Sequence, residues 1–375
     1  MTPAKPSIRT LQPEGSPGMA LARPTTPQAP TTPSAPSRLR PGRGAARTRT
    51  NRGATRPGGL TQLQEKPWWP WLTRSLAGAF FVLVASLIVY QARSVDWPAV
   101  WQAVLALPVR VLWAGAALAL LSHFTYGSFE WIGRHVTGHQ LGRATTLGIA
   151  MTSYAFTLNL GSVIGGVGVR YRLYSRRGVE PGTIGQVVAT SILTNWIGYL
   201  LLTAIIPWFW VPPAVFGWSA SDVQWRMGGA LLALAPLVYL ALCLVRGGRP
   251  LALRGHCFAL PRWPLALWQV AVSCANWMLM GTALWVVLQG QVAYPAAVAT
   301  VMLGAVAGLV LRVPAGLGVL ESVGVALLTT DSLSKTDVLA ALLAYRALYY
   351  FVPLVLAALA FAAAELLVHG KKPTK

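Results

Sequence analysis

The sequence predicts an all-α polytopic integral membrane protein with six to eight transmembrane helices, folded as an inverted repeat with two re-entrant, glycine-rich hairpins. Three observations predict it. The 375 residues are 54% hydrophobic and only 11% charged, against about 25% charged in soluble domains. Apolar runs long enough to cross a hydrocarbon layer of about 30 Å recur along the body. The 31 Lys and Arg, against 10 Asp and Glu, gather in an N-terminal tail and in short loops, which is how cytoplasmic segments are marked. On a soluble chain a charge of +21 would point to nucleic acid. Here topology accounts for it, and no nucleic-acid partner is expected.

Residues 1–66 repeat Pro, Thr, Ala, Gly and Arg without apolar periodicity and hold eleven Lys and Arg against two Asp and Glu. Such a stretch cannot bury enough apolar area to offset its ordering entropy, so it reads as a disordered, basic, cytoplasmic tail. It lacks the apolar core of a signal peptide, so no cleavage is expected. It either tethers the protein to an anionic lipid surface, at about 1 kcal/mol per basic residue, or only fixes orientation. A transmembrane domain follows over 67–370, with halves 67–211 and 227–370, and a basic end over 371–375.

Trp68, Trp69 and Trp71 start the body as an interfacial belt before a first span at 71–90. Residues 96–107 are too short to span and read as an amphipathic interfacial helix. A second span covers 110–131 and ends near Glu130. Residues 144–169 are uncharged and Gly-rich, and a basic loop (RYRLYSRRG) follows at 170–178. Spans at 184–211, 227–245 and 263–288 come next. Residues 296–311 are apolar and break at Arg312-Val313-Pro314, 315–330 form a short return with Glu321, and 338–368 make the last run.

Charge fixes the path. With the tail in the cytoplasm, a full crossing at 144–169 would place Arg170, Arg172, Arg176 and Arg177 outside, against the positive-inside rule. A turn near Asn159-Leu160-Gly161 keeps them inside. The same reasoning makes 296–330 a second hairpin and leaves both termini cytoplasmic. Each half then crosses three times, so the halves are oppositely oriented, which is the transporter pattern that places a binding site at interrupted helices. The alternative of eight full spans puts one basic loop on the wrong side.

Ionisable groups at membrane depth are the candidate functional residues. Arg346 lies eight residues into the last run, flanked by Tyr345, Tyr349 and Tyr350, with Glu321 as its expected counter-charge. Arg312 stands beside the break. Pro314, Gly316 and Gly318 stop the helix there, since proline removes a donor and glycine allows close approach. The N–H groups freed at the next helix start could hold an anion such as phosphate. In the first hairpin Gly165 and Gly166 precede Arg170 and Arg172, a pairing suited to a phospholipid headgroup, or simply to small-residue packing beside a topogenic arginine cluster.

Other chemistry finds little support. Cys243, Cys257 and Cys274 form no CxxC and read as small apolar residues. His135 and His139 share a metal spacing but have no third ligand nearby. There is no nucleotide-binding loop, no HExxH and no GxSxG. No catalytic residue, metal site or cofactor is expected.

Two segments, SYAFTLNLGSVIGGVGVRYRLYSRRGV (153–179) with TNWIGYLLL (194–202), and RVPAGLGVLESV (312–323) with YRALYYFVPLVLA (345–357), resemble the membrane region of lysylphosphatidylglycerol synthases. That region also stands alone in YbhN-like inner-membrane proteins and related hopanoid-associated proteins. The resemblance spans roughly 70–368. It implies a flippase-like body that moves lipid between leaflets of the cytoplasmic membrane. The chain stops at Lys375 without the separate lysyl-transferring domain, so aminoacyl transfer is not implied. Glu130 fills the family's acidic position in the second span, where the pattern leads to Asp. The expected function is a phospholipid or lipid-intermediate translocase, with Glu130, Gly165, Gly166, Arg170, Arg172, Arg312, Pro314, Gly316, Gly318, Glu321, Arg346 and Tyr349 meeting the lipid. The competing reading is a non-catalytic scaffold or accessory subunit of a lipid-modifying system. Expected partners are membrane phospholipids, an anionic lipid surface through the tail, and either a second copy or a lipid enzyme.

Overall fold

The computed structural model describes residues 97–213, 220–253 and 256–369. The basic tail, the tryptophan belt, the span expected at 71–90 and the basic C-terminal end lie outside them.

The first described element is α1 (Trp97–Leu105), the expected short amphipathic helix. It buries Val100 against Leu339 and Ala340. The second span is α2 (Val109–Gly127) and α3 (Phe129–Thr137), which runs six residues past the end expected from the sequence. The two meet at Ser128, whose hydroxyl donates to the Thr125 carbonyl at 2.6 Å, a bond to the preceding turn that bends helices. Gly138 ends α3 in the left-handed conformation (φ 69°) and returns an N–H to the Arg134 carbonyl.

The Gly-rich stretch is a hairpin. The outgoing arm α4 (Arg143–Gly161) ends where Gly161 takes φ 84°. The chain then runs back along α4 through a π-helical segment (Ser162–Gly168) into α5 (Val169–Ser175). Close approach requires glycine at Gly165, where an added Cβ would collide with the Phe156–Thr157 backbone. The expected turn at Asn159-Leu160-Gly161 is where the reversal occurs.

The long helices α6 (Pro181–Ile205), extended by a 3-10 turn (Ile206–Trp208), and α7 (Asp222–Arg246) follow. Pro181 opens α6 at a position where no N–H is needed. A capping box opens α7: Ser221 Oγ accepts from Gln224 N at 3.3 Å, and Gln224 Oε1 accepts from Ser221 N at 2.8 Å. After α7 comes a loop hairpin unforeseen in the sequence, β1 (Pro250–Leu253) antiparallel to β2 (His256–Ala259).

Helix α8 (Trp263–Val287) is the central post, with over half of its apolar stretch buried. It packs most closely on α2 and also on α6 and α9 (Tyr294–Leu311). The second hairpin joins α9 to α10 (Val319–Leu328) through an irregular turn at Pro314–Gly316. Arg312 and Ala315 both have positive φ there (53° and 55°). The last run is α11 (Lys335–Arg346), a π-helical segment (Ala347–Phe351) and α12 (Val352–His369). Ser334 caps α11, accepting from Asp337 N at 3.2 Å.

Among the described residues, six stretches are long and apolar enough to cross a membrane: Val109–Thr137, Pro181–Trp208, Asp222–Arg246, Trp263–Val287, Tyr294–Leu311 and Lys335–Ala363. The chain is an all-α polytopic membrane protein. The 17% burial of the α7 stretch, whose exposed face carries Leu231, Leu234, Leu237 and Val238, suits a surface solvated by lipid rather than water. One order of elements occurs twice: a long helix, a hairpin with an irregular segment, and a second long helix. The turn of the second hairpin packs on α4 of the first.

Candidate functional site

Two buried ion pairs tie the hairpins to their neighbours. In the first, Glu130 on α3 meets Arg170 on α5. Arg170 Nε donates to Glu130 Oε1 at 2.5 Å, and the two side chains are 0% and 4% exposed. The remaining guanidinium nitrogens donate to the Gly166 carbonyl (3.0 Å) and the Tyr126 hydroxyl (3.3 Å). Tyr174 donates to Glu130 Oε2 at 2.8 Å, and Ser191 on α6 to Oε1 at 3.4 Å. No oxygen of this carboxylate is left without a donor, as a charge at this depth requires.

In the second pair Arg346, at the end of α11, meets Glu321 on α10. Arg346 Nε donates to Oε1, and Nη2 to Oε2 at 3.0 Å, a forked arrangement. The guanidinium also donates to the carbonyls of Ala315 (2.8 Å) and Gly316 (2.6 Å). The interrupted turn therefore exposes carbonyl oxygens, and Arg346 satisfies them. By helix rise Arg346 lies about 16 Å from the start of its span, too deep to reach a headgroup layer unaided.

The two sites are built alike. Each holds one arginine, one glutamate and a glycine carbonyl from the irregular segment of a hairpin. Each arginine also lies over a tyrosine ring, Arg170 over Tyr126 at 5.8 Å and Arg346 over Tyr350 at 5.2 Å. Between them runs a chain of tyrosines. Tyr126 stacks on Tyr154 (3.7 Å, 12°), the Tyr154 hydroxyl bonds that of Tyr349 (3.1 Å), and Tyr349 stacks on Tyr345 (5.3 Å, 14°). Ser122 on α2 joins the chain, 2.6 Å from the Tyr349 hydroxyl and donating to Asn276 Oδ1 on α8 at 2.8 Å. Asn159, beside the first hairpin's turn, donates to the Tyr350 carbonyl at 3.2 Å.

The residues singled out in the sequence fall into four groups. Glu130, Arg170, Glu321, Arg346 and Tyr349 come together in the buried network, with Glu321 on Arg346 as expected. Gly165 and Gly166 are buried inside the first hairpin, where they permit packing, and Gly166 also supplies the carbonyl to Arg170. The exposed residues are Arg312, closing α9, and Arg172, whose guanidinium lies over the Phe361 ring at 5.6 Å. Pro314 and Gly316 form the turn and Gly318 caps α10 at φ 75°. In the first turn of α10, where the sequence placed a bound anion, the structure places the Glu321 carboxylate, an anion that the helix dipole also favours.

Sequence reasoning missed Ser122, His123, Tyr126, Tyr154, Tyr174, Ser191 and Asn276. The signal was present: a polar residue inside an apolar run such as LALLSHFTYG or SCANWM needs an internal partner. His135 is exposed on α3, His139 sets its ring edge-on to Tyr174 (5.6 Å), and among the described residues no group of His, Cys, Asp and Glu could hold a metal. Cys243 and Cys274 are free thiols. A cleft of about 270 Å³ between α1, residues 288–291 and α11 has Gln289, Gln291 and Asp337 in its wall and lies apart from both pairs.

Residues 75–357 match the family of the lysylphosphatidylglycerol synthase TM region. The chain is 37% identical over 295 residues to the inner membrane protein YbhN of Escherichia coli, covering 79% of this chain and 93% of that protein. It is 31% identical over 289 residues to the uncharacterized protein slr0712 of Synechocystis sp., covering 72% and 86%.

Proposed function

We propose that this chain, which belongs to the family of the lysylphosphatidylglycerol synthase TM region, carries a phospholipid or lipid intermediate between the leaflets of the cytoplasmic membrane, as a transporter rather than an enzyme. The observation that carries the reading is the pair of Arg–Glu–carbonyl knots, one on the irregular segment of each hairpin. A lone buried arginine would be too costly to keep. An arginine whose glutamate can be exchanged for a lipid phosphate stays neutralised in both states, and forked guanidinium bonds suit either oxyanion. With the hairpins entering from opposite faces, as the charge distribution requires, one knot serves each leaflet and the acyl chains stay outside in lipid. Both termini then lie in the cytoplasm. The second knot holds backbone carbonyls as well as a carboxylate, so releasing Arg346 also frees the turn at 314–316 to move.

The test is leaflet exchange of fluorescent phosphatidylglycerol and phosphatidylcholine in proteoliposomes. Wild type should exceed protein-free vesicles. Glu321→Gln and Arg346→Ala, each confirmed folded, should lose most of that excess. No excess with either lipid, or full activity in both variants, would overturn the reading and favour a scaffold for a lipid-modifying enzyme.

A further inference from the structure

The buried imidazole of His123 belongs to neither knot. His123 on α2 is 2% exposed and lies in the middle of the tyrosine chain. Its Nδ1 is 2.8 Å from the Ala119 carbonyl. A carbonyl only accepts, so Nδ1 carries the proton. The other nitrogen, Nε2, then presents a bare lone pair and has no hydrogen-bond partner. Leaving such an acceptor buried and unpaired is costly, and an apolar side chain would avoid the cost. Two tyrosine rings flank the imidazole, Tyr154 at 4.9 Å and Tyr349 at 5.0 Å, within the range at which an aromatic face attracts positive charge.

The groups packed around it leave the titration to His123. From α4 it faces Tyr154, and from the 347–351 segment Tyr349, both phenols engaged with each other. Helix α8 brings Asn276, which does not titrate and is bonded to the neighbouring Ser122. Helix α3 carries Glu130, which is neutralised by Arg170.

We propose that His123 is the proton-carrying site of this protein and that lipid movement is coupled to a proton gradient, an inference that rests on the translocation reading. The proton binds the Nε2 lone pair, leaves the same nitrogen on the other side, and no covalent bond other than N–H is made or broken. The arrangement described is the neutral state. The imidazolium forms when the hairpins part and water reaches Nε2. It puts a third cation between Arg170 and Arg346, and so favours loading an anionic headgroup in place of a glutamate.

The experiment uses the full chain in proteoliposomes with fluorescent phosphatidylglycerol and an imposed pH gradient, beside protein-free vesicles. One proton per lipid under a gradient of one pH unit shifts the leaflet ratio by up to about tenfold. In wild type the lipid should gather in the leaflet that faces the more alkaline solution. The ratio in His123→Gln, read against the same variant without a gradient, should stay level. A gradient-independent ratio in wild type that does exchange lipid, or an equal shift in His123→Gln, overturns the coupling. If wild type exchanges no lipid at all, the translocation reading fails, and the proton site is judged separately by nitrogen NMR of ¹⁵N-histidine protein. With the His123 signal identified by its loss in His123→Gln, Nε2 should gain a proton as the pH is lowered. A nitrogen that stays bare throughout, with and without phosphatidylglycerol, overturns the assignment; if His123→Gln does not fold, His123→Asn takes its place in both assays and identifies the signal.

Discussion

At the scale of single residues, the physics is that of a charge in a poor solvent. Glu130 is fully buried and its oxygens receive bonds from Arg170, Tyr174 and Ser191. Removing one partner of a buried pair leaves the other charge uncompensated, at about 3–5 kcal/mol, whereas replacing both with apolar residues costs far less. Glu130→Gln should therefore lower thermal stability in detergent sharply, and Glu130→Gln with Arg170→Met should recover most of the loss. Equal losses in the single and double variants would mean that the bond is not the stabilising element. The sequence named Glu130, Arg170, Glu321 and Arg346, because a charge in an apolar run announces itself. It could not say that Glu130 belongs to Arg170, forty residues on, because pairing depends on how the first hairpin folds back. Nor did it expose His123 or Asn276, which carry no formal charge and hide in apolar runs.

At the scale of elements, glycines decide which helices touch, and position within one helix decides the sign of a substitution. Gly185 and Gly198 both lie in α6. A Cβ at Gly185 meets nothing, whereas one at Gly198 would strike Ser273 and come within 2.7 Å of the Cys274 backbone nitrogen on α8. Gly185→Ala should be neutral or stabilise by up to about 1 kcal/mol through helix propensity. Gly198→Ala should destabilise by about 1–3 kcal/mol through overpacking. Thermal unfolding of the two purified variants checks this, and matching shifts would refute the close crossing. Both hairpins were legible as elements because glycine and proline interrupt apolar runs at 161 and at 312–318. What was not legible was the π-helical backbone at 162–168, in the return of the first hairpin, and at 347–351, in the last run. The first turn of α10, where the sequence reading allowed an anion such as phosphate, holds the Glu321 carboxylate.

At the scale of the whole described body, the argument turns on whether the two knots act as one. Four tyrosines from α2, α4 and the α11–α12 run bridge them by stacking and hydroxyl contacts. Independent sites this far apart in sequence and structure should respond additively, within about 0.3–0.5 kcal/mol. Sites joined by a packed two-state network can show coupling of about 0.5–2 kcal/mol. A transporter needs such coupling, since opening both hairpins together would leave a leak and opening neither would stop exchange. We therefore expect Glu130→Gln and Glu321→Gln to be non-additive in leaflet-exchange rate across a double-mutant cycle. The bridge explains the coupling only if it fails when the bridge is cut. Tyr349→Leu removes the ring stacked on Tyr345 and the hydroxyl shared by Ser122 and Tyr154. Repeating the cycle in that background should return the two glutamates to additivity. Additivity in the wild-type background would show the knots to be separate latches, and coupling that survives Tyr349→Leu would place its route through the α2–α8 contact instead.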